Sequence, residues 1–175
     1  MRRLETHRMI LRDWELSDLY DFSEIWTNPN VTIPEGDLPL SNKDDCLPML
    51  HYLISAQNNY ALELKATSKV IGSVGLNEES DNNPNGRNLG YSLNETYWNN
   101  GYMQEALREI IKNAHEITSF LSIVFPNNSN NVKSQHIVKK LGFKFVKDID
   151  GGTNKLGEHI ACYQYYVLEL SNYTD

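Results

Sequence analysis

The chain is poor in the features that mark several large classes of protein. It has two cysteines, Cys46 and Cys162, far apart and with no partner spacing. That argues against a disulfide framework or a cysteine-built zinc site. Five histidines, His7, His51, His115, His136 and His159, have no ligand spacing between them, so no metal is expected. No apolar run approaches the length that spans a bilayer. The N-terminal MRRLETHRMILRDW is basic but lacks the apolar core of a signal peptide. Lysine and arginine number 16 against 23 acidic residues, a net charge of −7, which is the wrong balance for a general nucleic-acid binder. There is no three-glycine dinucleotide fingerprint and no GK[ST] phosphate loop. The expectation is a cytoplasmic protein with no nucleic-acid and no membrane partner.

What is present suits one domain. The chain has 175 residues, 40% of them apolar and 22% charged, enough for a core that needs no staple. MILRDW (9–14) reads as a strand. Leu16–Asn28 reads as a helix capped by Ser17, with Leu19, Phe22, Ile25 and Trp26 on one face. Asn28–Leu40, rich in proline and glycine, reads as a loop. Ser41–Gln57 carries a second helix pattern, with Ser41 and Asp44 as a capping pair and Pro48 set to kink or delay it. Strands follow at Tyr60–Ala66, Lys69–Asn77 and Asn88–Asn94, the last after a polar turn over Glu78–Arg87. Met103–Ile117 is a helix with its stripe at Met103, Ala106, Leu107, Ile110, Ile111 and Ala114. Then come a strand (Phe120–Phe125), an asparagine-rich turn, a helix (Val132–Leu141) stopped by Gly142, and strands at Phe143–Ile149 and His159–Leu170. This order predicts a mixed sheet with helices on its faces.

Two segments carry chemistry. YWNNGYMQEA (97–106) sets a glycine turn directly ahead of a helix. The first-turn amides of a helix carry partial positive charge and bind phosphate without a basic residue. Taken alone, this motif fits an ordinary glycine loop equally well. NVKSQHIVKKLGF (131–143) follows a strand and ends in Leu-Gly-Phe. There Asn131 would serve as a helix cap and Ser134 as a solvated serine.

Together the segments resemble the GCN5-related N-acetyltransferase (GNAT) family, in particular the branch of the RimJ/RimL ribosomal-protein N-terminal acetyltransferases. LGYSLNETYWNNGYMQEA (89–106) is similar to the branch's LGYWL strand running into W-x-x-G-Y-A-x-E-A. Asn131, Ser134, Lys140, Leu141, Gly142 and Phe143 match N-x-x-S-x-x-x-x-x-K-L-G-F. MILRDW and SKVIGSVGL match two further motifs. The resemblance implies one N-acetyltransferase domain over 1–175 in the α+β class. It would have a central, mostly antiparallel sheet of about seven strands, about four helices on its faces, and strands splayed at the cofactor site.

The resemblance also implies roles. Acetyl-CoA would be bound and CoA released, with the pyrophosphate on the amides from Asn99 through Asn100, Gly101, Tyr102 and Met103 to Gln104, next to Trp98. The Leu93 backbone would lie along the pantetheine arm, with Asn131 opposite. Ser134 would sit near the sulfur and protonate the departing thiolate, while Lys133 or Lys139 would reach the cofactor's 3′-phosphate. The sequence departs from the pattern at Met103, where Gly or Ala is usual, at Asn88, where Glu is frequent, and in the longer turn before Asn131.

No commanding base stands out. Glu78, Glu79 or Glu63 would act through water, or would simply be solvated. Glu35 and Asp37 would hold a cationic acceptor, or belong to a hydrated loop. The leading acceptor is a protein or peptide N-terminal α-amine, which is neutral enough near pH 7 to need little help. Alternatives are a small amine (polyamine, amino sugar or aminoglycoside), a non-catalytic acyl-CoA-binding module, and a scaffold with no cofactor. The resemblance is compatible with a homodimer.

Overall fold

The computed structural model describes residues 2–78, 85–126, 132–153 and 157–173. The predicted turns after Glu78 and after Pro126 lie partly outside them, and Glu79 and Asn131 wholly so.

An eight-stranded sheet runs in the order β1-β2-β3-β4-β5-β6-β8-β7. Its strands are β1 (Leu4–Glu5), β2 (Met9–Arg12), β3 (Asn59–Leu64), β4 (Val70–Glu78), β5 (Gly86–Leu93), β6 (Phe120–Pro126), β7 (Lys144–Asp150) and β8 (Cys162–Glu169). The extra strand relative to the expected seven is β1, whose two residues are too few to show alternation. All neighbours are antiparallel except β5 and β6.

Helices cover both faces. On one side α4 (Tyr102–Ala114) buries Met103, Ala106, Leu107, Ile110, Ile111 and Ala114, the stripe read from sequence. With Val138 of α5 (Val132–Lys140) it packs against Leu62, Val74 and Leu89 of the sheet. On the other side α1 (Leu19–Trp26) and α3 (Leu47–Ala56) enclose Trp14, Phe22, Leu50, Ala61 and Val70. Phe22 and Trp26 stack at 4.1 Å, and Trp14 meets both edge-on.

Three local expectations are corrected and a fourth, at Pro48, is settled. The start of α1 is set by a Glu15–Asp18 capping box around a 3-10 turn, with Ser17 inside that turn. Asn42, not Ser41, caps the next helical segment, accepting from the amides of Asp44 and Asp45. Pro48 falls in the first turn of α3, where its missing N–H costs no helical bond, so it delays the helix and does not kink it. Asn28–Leu40 is not a plain loop. Asn28 caps a short helix, α2 (Pro29–Thr32), followed by a 3-10 turn at Ile33–Glu35 that ends on Gly36 at φ 86°.

The β5/β6 ladder positions the site. It holds only Gly86↔Phe120, Arg87↔Leu121 and Asn88↔Ser122, while β5 runs on to Leu93 and β6 to Pro126. Past Asn88 the strands part.

Candidate active site

Alternation along β5 sends Leu89, Tyr91 and Leu93 toward α4 and α5, and Ser92 toward the α2 segment. The Asn94 amide bonds Ile71 O at 2.8 Å, which makes Gly72↔Leu93 the wide pair of the antiparallel ladder. The N–H and C=O of Leu93 therefore point away from β4, into the gap that β6 has left. Its carbonyl accepts the indole N–H of Trp98 at 2.8 Å.

The turn after Trp98 reverses the chain through two left-handed residues, Asn99 at φ 63° and Gly101 at φ 78°. A side chain at 101 would have room, since a Cβ there would find Arg8 Nη2 as its nearest neighbour, at 3.6 Å. It is the positive φ that demands glycine there. The first helical bond of α4 runs from Glu105 N–H to Gly101 O. The amides of Tyr102, Met103 and Gln104 precede it and form the donor end of the helix. Met103 sends its side chain into the core, so it keeps its amide at the turn without blocking it.

The N-terminal arm fixes this turn. Arg8 donates to Asn100 O at 2.9 Å and to the Glu105 carboxylate at 2.6 Å, and its guanidinium lies 4.1 Å from the Tyr102 ring centroid. Burial works against the Glu105 charge. Hydrogen bonds from Thr6 and from the Arg8 amide and side chain outweigh it and hold the carboxyl below its usual range.

A cavity of about 750 Å3 occupies the gap. Its α4/α5 side is lined by Leu93, Trp98, Asn99, Gly101, Tyr102, Met103, Gln104, Ser134 and Ile137. Its other side is lined by Pro29, Asn30, Val31, Ile33, Pro34 and Glu35. The cavity thus passes from one face of the sheet to the other. One end offers helix amides and Lys133, whose Nζ lies 4.6 Å over Trp98. The other offers the carboxylate of Glu35, and Glu95 lies between them, near enough to Lys133 to feel its charge.

Glu35 is exposed on the cavity wall but crowded by protein on its remaining sides, and it accepts the Ser92 hydroxyl at 2.8 Å. Desolvation raises its pKa to about 8, with Asp37 adding to the shift and the Ser92 bond opposing it. Solvent entering the open side of the cavity moderates that shift until a ligand displaces it. Tyr91 donates to Ser134 O at 3.2 Å. Burial pushes the Tyr91 phenol above its ordinary range, and the Glu35 charge adds to that, so Tyr91 remains a hydroxyl donor.

Most of the site residues expected from sequence meet here. Asn100 is one exception. Its side chain bonds the carbonyls of Tyr97 and Trp98, so it builds the turn without lining the cavity. Glu78 is another. It pairs with Arg87, six residues along the ladder from Gly72↔Leu93, or roughly 20 Å. It is exposed and absent from the lining. Lys139 rests over Tyr166, away from the cavity. Tyr91, Glu95, Asn30 and His136 line the cavity and were not singled out from sequence. Tyr91 was within reach of the period-2 pattern through Leu89 and Leu93. Among the described residues no group of three His, Cys, Asp or Glu is placed to hold a metal, and no helix is long and apolar enough to cross a membrane.

These parted strands, the donor turn and the cavity between them make up a candidate ligand site in an open mixed sheet, and comparison with known proteins gives the family. The family model of the acetyltransferase (GNAT) domain matches residues 8–144. The chain belongs to this family, and it is an acetyltransferase. It is 29% identical over 177 aligned residues to an uncharacterized N-acetyltransferase, p20, of Bacillus licheniformis, covering 97% of each chain. Its fold is similar to that of a spermidine N-acetyltransferase from Vibrio cholerae, solved with CoA and spermine (TM-score 0.78, 14% identity, 96% and 99% of the two chains). It is also similar to that of a ribosomal-protein-S5-alanine acetyltransferase from Vibrio fischeri (TM-score 0.74, 14% identity, all of both chains). The family uses acetyl-CoA and acts on amines.

Proposed function

We propose that this protein transfers the acetyl group of acetyl-CoA to the α-amine of a peptide or protein N-terminus, by direct attack in a ternary complex. The observation that carries this reading is the two-sided cavity. Three unspent helix amides stand at one end of a passage through the sheet, and a carboxylate stands at the other.

The residues fit CoA. Amides of Tyr102, Met103 and Gln104, beside the left-handed turn at Asn99 and Gly101, suit a pyrophosphate. The outward backbone edge of Leu93 suits the amides of an extended arm. When bound, acetyl-CoA supplies an activated acetyl thioester. The Ser134 hydroxyl, on the wall facing that arm, supplies a proton to the departing sulfur. Neither cysteine lines the cavity, which fits direct transfer better than an acyl-enzyme. The RimJ/RimL-like motifs and the modest pKa of an α-amine, ~7.7–8.0, favour a chain terminus as acceptor. A second reading, a small polyamine-like acceptor, draws on the two carboxylates, Glu35 and Glu95, that line the cavity.

Calorimetry with acetyl-CoA tests the cofactor half. Gly101→Glu places a side chain at φ 78° and a negative charge at the donor turn, and it should abolish binding that the wild type shows. Equal binding by both proteins would refute the assignment of the turn. A peptide panel set against spermidine and an aminoglycoside then separates the two acceptor readings.

A further inference from the structure

We propose that Glu35 is the general base of the transfer, with the Ser92 hydroxyl as its positioning partner. This rests on the acetyl-CoA-dependent reading above and names the group that reading leaves open.

The geometry selects Glu35 over the other carboxylates. It lines the cavity on the α2 side, across from the residues of α4 that line it. Ser92 holds one of its oxygens at 2.8 Å and leaves the other oxygen uncommitted to that bond. Glu35 is close enough to Tyr91 for its charge to bear on the phenol, and Tyr91 in turn bonds the Ser134 carbonyl. Base and proton donor therefore flank the end of β5 from opposite faces. Glu95 shares the cavity, but its carboxylate is engaged by Asn28 at 2.9 Å and by Asn30 at 3.0 Å. Glu63 is committed to Arg12 on β2.

The charged and titratable groups around Glu35 are Asp37 on its own segment, Tyr91 on β5, Glu95 after β5, and Lys133 and His136 of α5 across the cavity. A docking ammonium stabilises the carboxylate form, and Glu35 then takes one proton from it. The freed nitrogen lone pair bonds to the thioester carbonyl carbon, and the carbon–sulfur bond breaks with its electrons on sulfur. The surplus proton of the nitrogen reaches that sulfur through the Ser134 hydroxyl, which gives one proton and takes one. Glu35 returns its proton to solvent through the open cavity. A carboxyl raised above its ordinary range takes a proton more readily from an α-amine at ~7.7–8.0 than from a lysine-like amine near ~10.4. The same carboxylate thus sets a preference for chain termini.

Glu35→Gln preserves shape and removes proton acceptance. Its acetyl-CoA affinity should stay within about twofold of wild type, while kcat on a short peptide with a free N-terminal alanine falls by about 10²-fold or more. Carbon NMR of labelled glutamate carboxyls in the ligand-free protein reads the group directly. One carboxyl should titrate above the ordinary glutamate range, vanish in Glu35→Gln, and titrate higher in Ser92→Ala, which loses the bond favouring the charged form. The alkaline shift of the pH–kcat profile in Ser92→Ala is an effect that lost packing alone would not produce. An unchanged kcat and pH profile in Glu35→Gln, or a Glu35 carboxyl that titrates in the ordinary range, overturns the proposal. Failure of the wild type to bind acetyl-CoA overturns the functional reading instead, and the base with it.

Discussion

Two arginines in the first β-hairpin show how single side chains can hold distant parts of the site. Arg8 ties β2 to the donor turn through Asn100 and Glu105. Arg12 grips Asp18 with two bonds of 2.8 Å and also bonds Glu63, all three side chains being largely buried. The Asp18 bond leads in holding the proton on Arg12, which stays charged at any ordinary pH despite its burial. Asp18 also closes the capping box that starts the helical segment of α1. Replacing Arg12 by Leu leaves two buried carboxylates without their cation, and the expected loss is about 3–5 kcal/mol. Urea denaturation at neutral pH measures it, and a loss under about 1 kcal/mol would show that the cluster is not what anchors α1. Sequence placed Arg12 in a strand motif but gave no sign of its role, because neither partner lies within a helical turn or a strand period of it.

At the scale of elements, the α2 segment is the least predictable part and the one that forms the cavity wall carrying Glu35. Two prolines and a glycine in PNVTIPEG signal a loop. What folds it is Asn28, which caps the turn, together with Glu95, which accepts from Asn28 and Asn30 across 65 or more residues of chain. Those bonds, Asn30 first and then Asn28, hold the Glu95 carboxyl below its ordinary range. Glu95→Ala should raise the KM for the acceptor several-fold and leave acetyl-CoA affinity unchanged. Steady-state kinetics with each substrate varied in turn checks this, and a loss confined to acetyl-CoA affinity would place the clamp on the wrong side of the cavity. The donor turn contrasts with this segment. Its left-handed glycine and the apolar stripe of α4 lie in one unbroken stretch, so local rules suffice to read them. Glu35, by comparison, was visible as an acidic loop residue. Its tie to Ser92 depends on a strand 57 residues away, which is why sequence alone offered Glu78, Glu79 and Glu63 as bases and Glu35 only as a holder of a cationic acceptor.

Across the whole molecule, the sheet separates two kinds of charge environment and the parted strands join them. Helix amides favour anions on the α4/α5 face and Glu35 favours cations on the α2 face, while Glu95 lies close enough to Lys133 for that charge to help hold its carboxyl down. Such an arrangement strains the native state at the Glu35 carboxylate, and linkage makes that strain measurable. Desolvation pushes Glu35 up from an ordinary 4.5 toward about 8, and solvent in the open cavity draws it partway back. Between those values the native state binds more protons than the unfolded chain, so this group makes stability fall as pH rises from about 4.5 to about 8. Glu35→Gln removes that slope. The two proteins should melt together near pH 4, and the variant should become the more stable as pH rises, with the gap constant above about 8.5. Exposure of Glu35 to the cavity shrinks the gap through solvent screening but leaves its sign intact. Glu105, with a lowered pKa, acts in the opposite sense. Its contribution is present above the ordinary carboxylate range and is lost only on further acidification, so it cannot mimic the Glu35 effect near neutrality. Thermal denaturation of both proteins from pH 5 to 9 separates these contributions. Parallel curves across that range would mean that Glu35 is as well solvated as a surface carboxylate, and both the stability account and the preference for an α-amine would fall.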